Sequence, residues 1–163
     1  MDFEAPVDAL YVWIGVALVS IGLMGFAVSV PSEPPPDADR TAAALDRVAA
    51  GGPDAATAIE HGATEVRLDA ERVELRNDAG SDAARLSHGR LLPLAAVDAD
   101  GTERHELEAV LEDGRALDRT LEMLLADVVA ELETATGDWQ PTDGELRARA
   151  VTVNESRVVL VDG

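Results

Sequence analysis

At 163 residues the chain has room for one modest domain with an anchor or tail, and too little for two independent cores. Its 32 acidic residues outnumber 13 basic ones, every one an arginine, for a net charge of −19; with no basic stripe, nucleic acid is excluded as a partner, because phosphate contacts need clustered lysine and arginine. Cysteine is absent, which removes disulfides, thiolate metal sites, cysteine nucleophiles and an acylated lipoprotein anchor.

Residues 1–8, MDFEAPVD, form a short acidic tail. Residues 9–30, ALYVWIGVALVSIGLMGFAVSV, then run without a charge, long enough at about 1.5 Å per residue to cross a hydrocarbon core of about 30 Å. A transmembrane helix is expected, with the lipid bilayer as its surroundings and Tyr11 and Trp13 at the interface. A cleaved signal would need a basic n-region and a shorter apolar core, so the segment reads as a retained anchor. Gly15, Gly22 and Ser29 recur at every seventh position with Gly25 nearby. That stripe is a candidate helix-packing face for a membrane protein partner, although glycine is common in spans for other reasons.

Residues 31–38, PSEPPPDA, carry four prolines and read as a stiff extended linker. Residues 39–163 are expected to form a soluble acidic α+β domain. It opens with a short helix in DRTAAALDRVAAGGPD, apolar at Ala44, Leu45, Val48 and Ala49 and stopped by Gly51 and Gly52. In TEVRLDAERVELRND the period changes to two, with Val66, Leu68, Val73 and Leu75 alternating with charges. This predicts a hairpin with one buried face and a ladder of solvated ion pairs on the other. Five arginines (Arg67, Arg72, Arg76, Arg85, Arg90) fall in this region, and the acids interleaved with them argue for pairing over an anion-binding surface.

AARLSHG and RLLPLAAV predict two further strands, Pro93 confining the second to a sheet edge. Residues 103–112 and 115–135 predict helices, the second with a stripe of Leu117, Leu121, Leu124, Leu125, Val128 and Leu132. A final hairpin turns at NES. The expected fold class is thus α+β, one N-terminal transmembrane helix followed by a small antiparallel sheet with helices covering one face.

Chemistry is sparse. HELEA (His105–Ala109) starts like a zinc-protease motif, but Ala109 stands where the second histidine belongs. His61, His88 and His105 fall in separate elements. DADGTE (Asp98–Glu103) resembles part of a calcium loop, yet Ala96 and Leu107 occupy its terminal ligand positions; Asp100 and Glu103 fit a helix capping box instead. No nucleophile elbow or phosphate loop is present. No catalytic residue, metal or cofactor is therefore assigned, and a non-enzymatic role is expected. Asn154 in NES matches a glycosylation sequon in an exposed turn.

Missing lysine and dense carboxylates together read as adaptation to high salt, where the Debye length falls to about 3 Å at molar concentration and mutes repulsion. A GC-rich genome accounts for the first feature better than the second. Arg40 and Arg47 after the apolar run favour a cytoplasmic domain; the proline linker, strand-rich domain and sequon favour the outside, and the balance falls there.

The opening MDFEAPVDALYVWIGVALVS, with VPSEPPPDA, ELRNDAG and the closing VVLVDG, resembles a family of short single-pass membrane proteins of haloarchaea. The resemblance implies association with type IV pilus-like or secretion machinery, and transfers no functional residue. A membrane-anchored structural or interaction protein, an accessory component at the cell envelope, is the expected function; a pilin-like filament subunit is the alternative.

Overall fold

The computed structural model describes residues 7–29, 33–52, 55–132 and 137–163, with the side chains of the first stretch given at 11–21 and 24. The chain divides into two compact units, Met1–Ser32 and Glu33–Gly163. In the first, the apolar run forms a helix, α1 (Val7–Ser29). The transmembrane helix expected over 9–30 is corrected: among the described residues no helix is long and apolar enough to cross a membrane.

The second unit begins within the proline stretch. Pro36 is buried, and the Pro34 carbonyl accepts from Asn77 Nδ2 at 2.9 Å. Asp37 then caps α2 (Ala38–Ala50), its side chain accepting from the Arg40 N–H at 2.8 Å. Eight strands and two further helices follow: β1 (Ala56–Glu60), β2 (Glu65–Asp69), β3 (Arg72–Asn77), β4 (Gly80–Arg85), β5 (Leu91–Pro93), α3 (Gly101–Asp113), α4 (Arg119–Leu132), β6 (Gln140–Pro141), β7 (Glu145–Val153) and β8 (Ser156–Asp162).

The unit is α+β, as expected, but its strands form two four-stranded sheets, ordered β1-β7-β8-β5 and β4-β3-β2-β6. Among the described residues all pairings are antiparallel except β5 with β8, which is parallel. Pro93 indeed lies on an edge strand. The expected single sheet, covered by helices on one face, fails because β7 and β8 are apolar on both faces. Val158 and Leu160 pack with α3 and α4, whereas Val159, Val161, Leu146 and Ala148 pack with α2 and the inner face of the second sheet. One layer of helices would leave half of these side chains in water.

The second sheet presents Val66, Leu68, Val73 and Leu75 inward, the four positions that the alternation marks. α2 touches β4 and β3 of one sheet and β1, β7 and β8 of the other; its contact residues Ala38, Ala42, Ala44 and Ala49 are small enough to permit that approach, with Leu45 and Val48 between them. α3 opens with the expected capping box, Asp100 Oδ1 accepting from the N–H of Thr102 and Glu103 while the Glu103 carboxylate accepts from the Asp100 N–H. The β7–β8 turn places Asn154 and Glu155 at positive φ, 46° and 65°, the geometry of a type I′ hairpin.

Three arginines donate to carbonyls of helical turns, two at the ends of α2 and α3 and one to the Leu94 carbonyl, which also accepts from the Val97 N–H. Arg157 Nη1 donates to the Gly51 carbonyl past the end of α2 at 2.7 Å, Arg149 Nε to the Leu111 carbonyl in the last turn of α3 at 2.8 Å, and Arg104 Nη1 to the Leu94 carbonyl at 2.9 Å. At helix C-termini these satisfy orphaned acceptors and oppose the macrodipole.

His61 is buried at the corner between β1 and β2. Its Nδ1 accepts from the Ala63 N–H at 3.1 Å, which fixes the proton on Nε2, and among the described residues Nε2 has no partner. Burial pushes the imidazole pKa down, with the Asp143 carboxylate opposing the shift.

Truncation of Leu160, fully buried in the doubly covered strand, is expected to cost about 2–5 kcal/mol on denaturant unfolding (Leu160→Ala). His61 gives a signed pH dependence. A lowered native pKa means that the unfolded chain binds the proton first, at about 6.5, so the contribution of neutral His61 is complete above that pH and is lost as pH falls through the native value. His61→Asn, whose Oδ1 can take the Ala63 N–H, is expected to flatten the stability profile below pH about 6.5 relative to wild type; identical profiles would refute the assignment.

Candidate functional site

The outer face of the second sheet carries the most organised side-chain chemistry among the described residues. Register places Glu65 opposite Arg76, Arg67 opposite Glu74 and Asp69 opposite Arg72. Arg76 clasps the Glu65 carboxylate through Nε and through Nη2, the latter at 2.8 Å. Arg67 pairs with Glu74, and Arg72 Nε lies 2.7 Å from Glu74 Oε1. The hydrogen bond from Arg76 holds the Glu65 carboxyl below its usual range and raises the Arg76 guanidinium in turn. The predicted ladder of paired charges is present.

What the alternation does not reveal is the lid on this ladder. Trp139 lies against it, its ring centroid 5.0 Å from the Arg67 guanidinium carbon and 4.3 Å from that of Arg76, within cation–π range. The chain's second tryptophan therefore packs outside the apolar cores, which contain no aromatic side chain among the described residues. With its arginines already paired to carboxylates, this face has little to offer a substrate anion. Arg85 is exposed, stands opposite Arg72 across β3 and β4, and meets no carboxylate among the described residues.

An apolar cleft of about 240 Å³ opens where the sheets diverge, walled by Val66, Leu68, Pro93, Leu132 and Val161 with Asp138 and Asp162 among its polar groups. It is smaller than the roughly 300 Å³ at which ligand pockets usually begin. A second groove of about 370 Å³ runs between α2 and β1 and is lined by Arg40, Arg47, Thr57, Ala58 and Glu60 among others. Sequence reasoning missed it because it missed β1: in ATAIE only Ile59 is buried, too little alternation to mark a strand.

The residues singled out in the sequence stay apart. Gly15 on α1 has open space where a Cβ would stand; the surroundings of Gly22, Gly25 and Ser29 lie outside the described residues. Asn154 is exposed at the tip of the β7–β8 hairpin. His61 is buried at its corner, His88 follows β4, and His105 sits exposed on α3 with Glu108 at 3.9 Å. Among the described residues no group of three or more His, Asp or Glu side chains could hold a metal ion.

No curated protein and no solved structure matches the chain. The match that exists is at the level of a family: the chain belongs to the family of unknown function DUF7283, whose family model matches residues 4–151.

Proposed function

We propose that this chain is a non-enzymatic structural or interaction protein, an accessory component of an assembly at the cell envelope, held in that assembly through α1. One observation carries the reading. Tyr11, Val12, Trp13 and Ile14 are consecutive, so together they pass around a full turn of helix, and each is between 48% and 72% exposed. A helix that is apolar on every side is a buried helix in its working state, and the absence of charge between residues 9 and 30 leaves no side suited to water. The compact acidic unit that follows is the part presented to solvent, facing outward from the cell.

A pilin-like filament subunit is the second reading, and the same exposure favours it, because several neighbouring helices inside a fibre would surround α1 on all sides. Sheared filaments containing the chain would select this reading over an accessory subunit.

In the full chain, Trp13→Asp with Val16→Asp is expected to move the protein from a large to a monomer-sized fraction on gradient sedimentation in high salt, with the unfolding midpoint of the acidic unit unchanged. Sedimentation identical to wild type would refute the role given to α1. A C-terminal tag on intact cells is expected to be lost to added protease, and protection until lysis would refute the outward placement.

A further inference from the structure

β1 is an edge strand, and the phase of its hydrogen bonding can be fixed. The Ala150 N–H donates to the Ala55 carbonyl at 2.8 Å, and the His61 N–H donates to the Gly144 carbonyl at 2.9 Å. Between them the register pairs Thr57 with Ala148 and Ile59 with Leu146. In an antiparallel ladder, bonding alternates residue by residue, so residues 55, 57, 59 and 61 face β7, while Ala56, Ala58 and Glu60 aim their N–H and C=O groups away from the sheet. Among the described residues these groups meet no other backbone; the Ala58 carbonyl accepts only from the Thr57 hydroxyl, at 3.3 Å.

Open edges are normally blunted by proline, a bulge, lysine or a covering element. Here Ala56 and Ala58 put bare methyl groups at the surface, and Glu60 is the one charge. The open side borders the groove beside α2, so the geometry is that of a slot with a strand edge on one wall and a helix on the other. This is the arrangement in which strand addition gives affinity through the backbone and the helix wall gives selectivity.

The lining carries Arg40 and Arg47 on the helix side and Glu60 and Glu145 on the sheet side, and the helix side says which strand. Arg40 and Arg47 stand on the α2 wall, two turns apart, about 10 Å along the helix axis. Arg47 Nε reaches the Ala43 carbonyl at 3.2 Å, and among the described residues neither arginine pairs with a carboxylate, in a chain with 32 acids available. Glu60 faces Glu145 across β1 and β7, and Glu145 is engaged with Arg147 at 3.0 Å. A second copy of β1 would bring a single carboxylate, Glu60, against the two arginines.

We propose that this groove is a peptide-binding site, in which an extended acidic segment of another protein pairs with β1 as a fifth strand of the first sheet and sets its carboxylates against Arg40 and Arg47. The site lies in the acidic unit and stands whether or not α1 plays the part given to it above.

The test uses the full chain in molar salt and a capped fluorescent octapeptide alternating valine with aspartate, followed by anisotropy, with a valine–arginine octapeptide as control. Saturable binding of the acidic peptide is expected, roughly tenfold or more tighter than the control. Ala58→Pro removes an N–H that the ladder with β7 does not use, so the fold tolerates it, and binding is expected to weaken by roughly tenfold or more. Ala83→Pro, on the edge strand of the other sheet, should leave binding unchanged, and Arg40→Glu with Arg47→Glu should reverse the preference between the two peptides. In wild type, hydrogen exchange over residues 55–61 should slow when the acidic peptide is added, a readout independent of any variant. No binding, equal binding by Ala58→Pro, unchanged exchange over 55–61, or a wild-type dimer that Ala58→Pro dissolves without any peptide effect would each overturn the proposal, the last by assigning the edge to a second copy.

Discussion

The acidic unit depends on one constraint, that β8 is apolar on both faces. Val158, Val159, Leu160 and Val161 are all buried, and because side chains alternate across a strand, two separate layers must cover them. α3 and α4 supply one layer; α2 and the second sheet supply the other. Neither layer would have a face to bury without the central pair β7 and β8. The two apolar clusters are thus the two sides of one sheet, which is how a single unit of this length accommodates both.

The second layer explains where the openings fall. α2 is built on alanine, so it sits close to β7 and β8 and fills the wedge between the sheets. A helix of larger side chains would stand further out and cover more of β1. As it is, Ile59 alone reaches the core from β1, and the strand's outer edge is left beside a helix wall. At the other end of the wedge, where α2 does not reach, the sheets diverge around the small apolar cleft between β2 and β5.

Much of this was legible in the sequence where a residue's partner is local. The β2–β3 alternation, the helix ending at Gly51, the capping box of Asp100 and Glu103 and the edge position of Pro93 all follow from spacing within a few residues. What the alternation could not state is which surface lies opposite. Val66 and Val159 carry the same apolar signal whether they share a sheet or face each other across two, and so two sheets were read as one. Trp139 was legible as the only aromatic of its region, but its seat over Arg67 and Arg76 depends on residues more than sixty positions away. For the apolar run at 9–30, composition marks a helix and α1 bears that out, whereas the membrane span does not hold: among the described residues no helix is long and apolar enough to cross a membrane.

The absence of lysine gains a structural meaning from where the arginines go. At high ionic strength a point charge on a flexible stem is screened within a few ångströms, and what survives is the directional hydrogen bond. Arginine, with five donors on a planar fork, forms several such bonds at once. Arg76 holds two oxygens of Glu65, Arg104 two carbonyls at the start of the α3 region, Arg149 two carbonyls at the end of α3 and Arg157 two at the end of α2. In each case the guanidinium ties an element to its neighbour by geometry instead of by long-range field, which is the form of electrostatics that a chain carrying −19 can use without depending on the salt around it. Arg40 and Arg47 depart from that pattern, since they are placed in the same way against an open strand edge but without a second element to join, and an incoming strand is the element that would complete the arrangement.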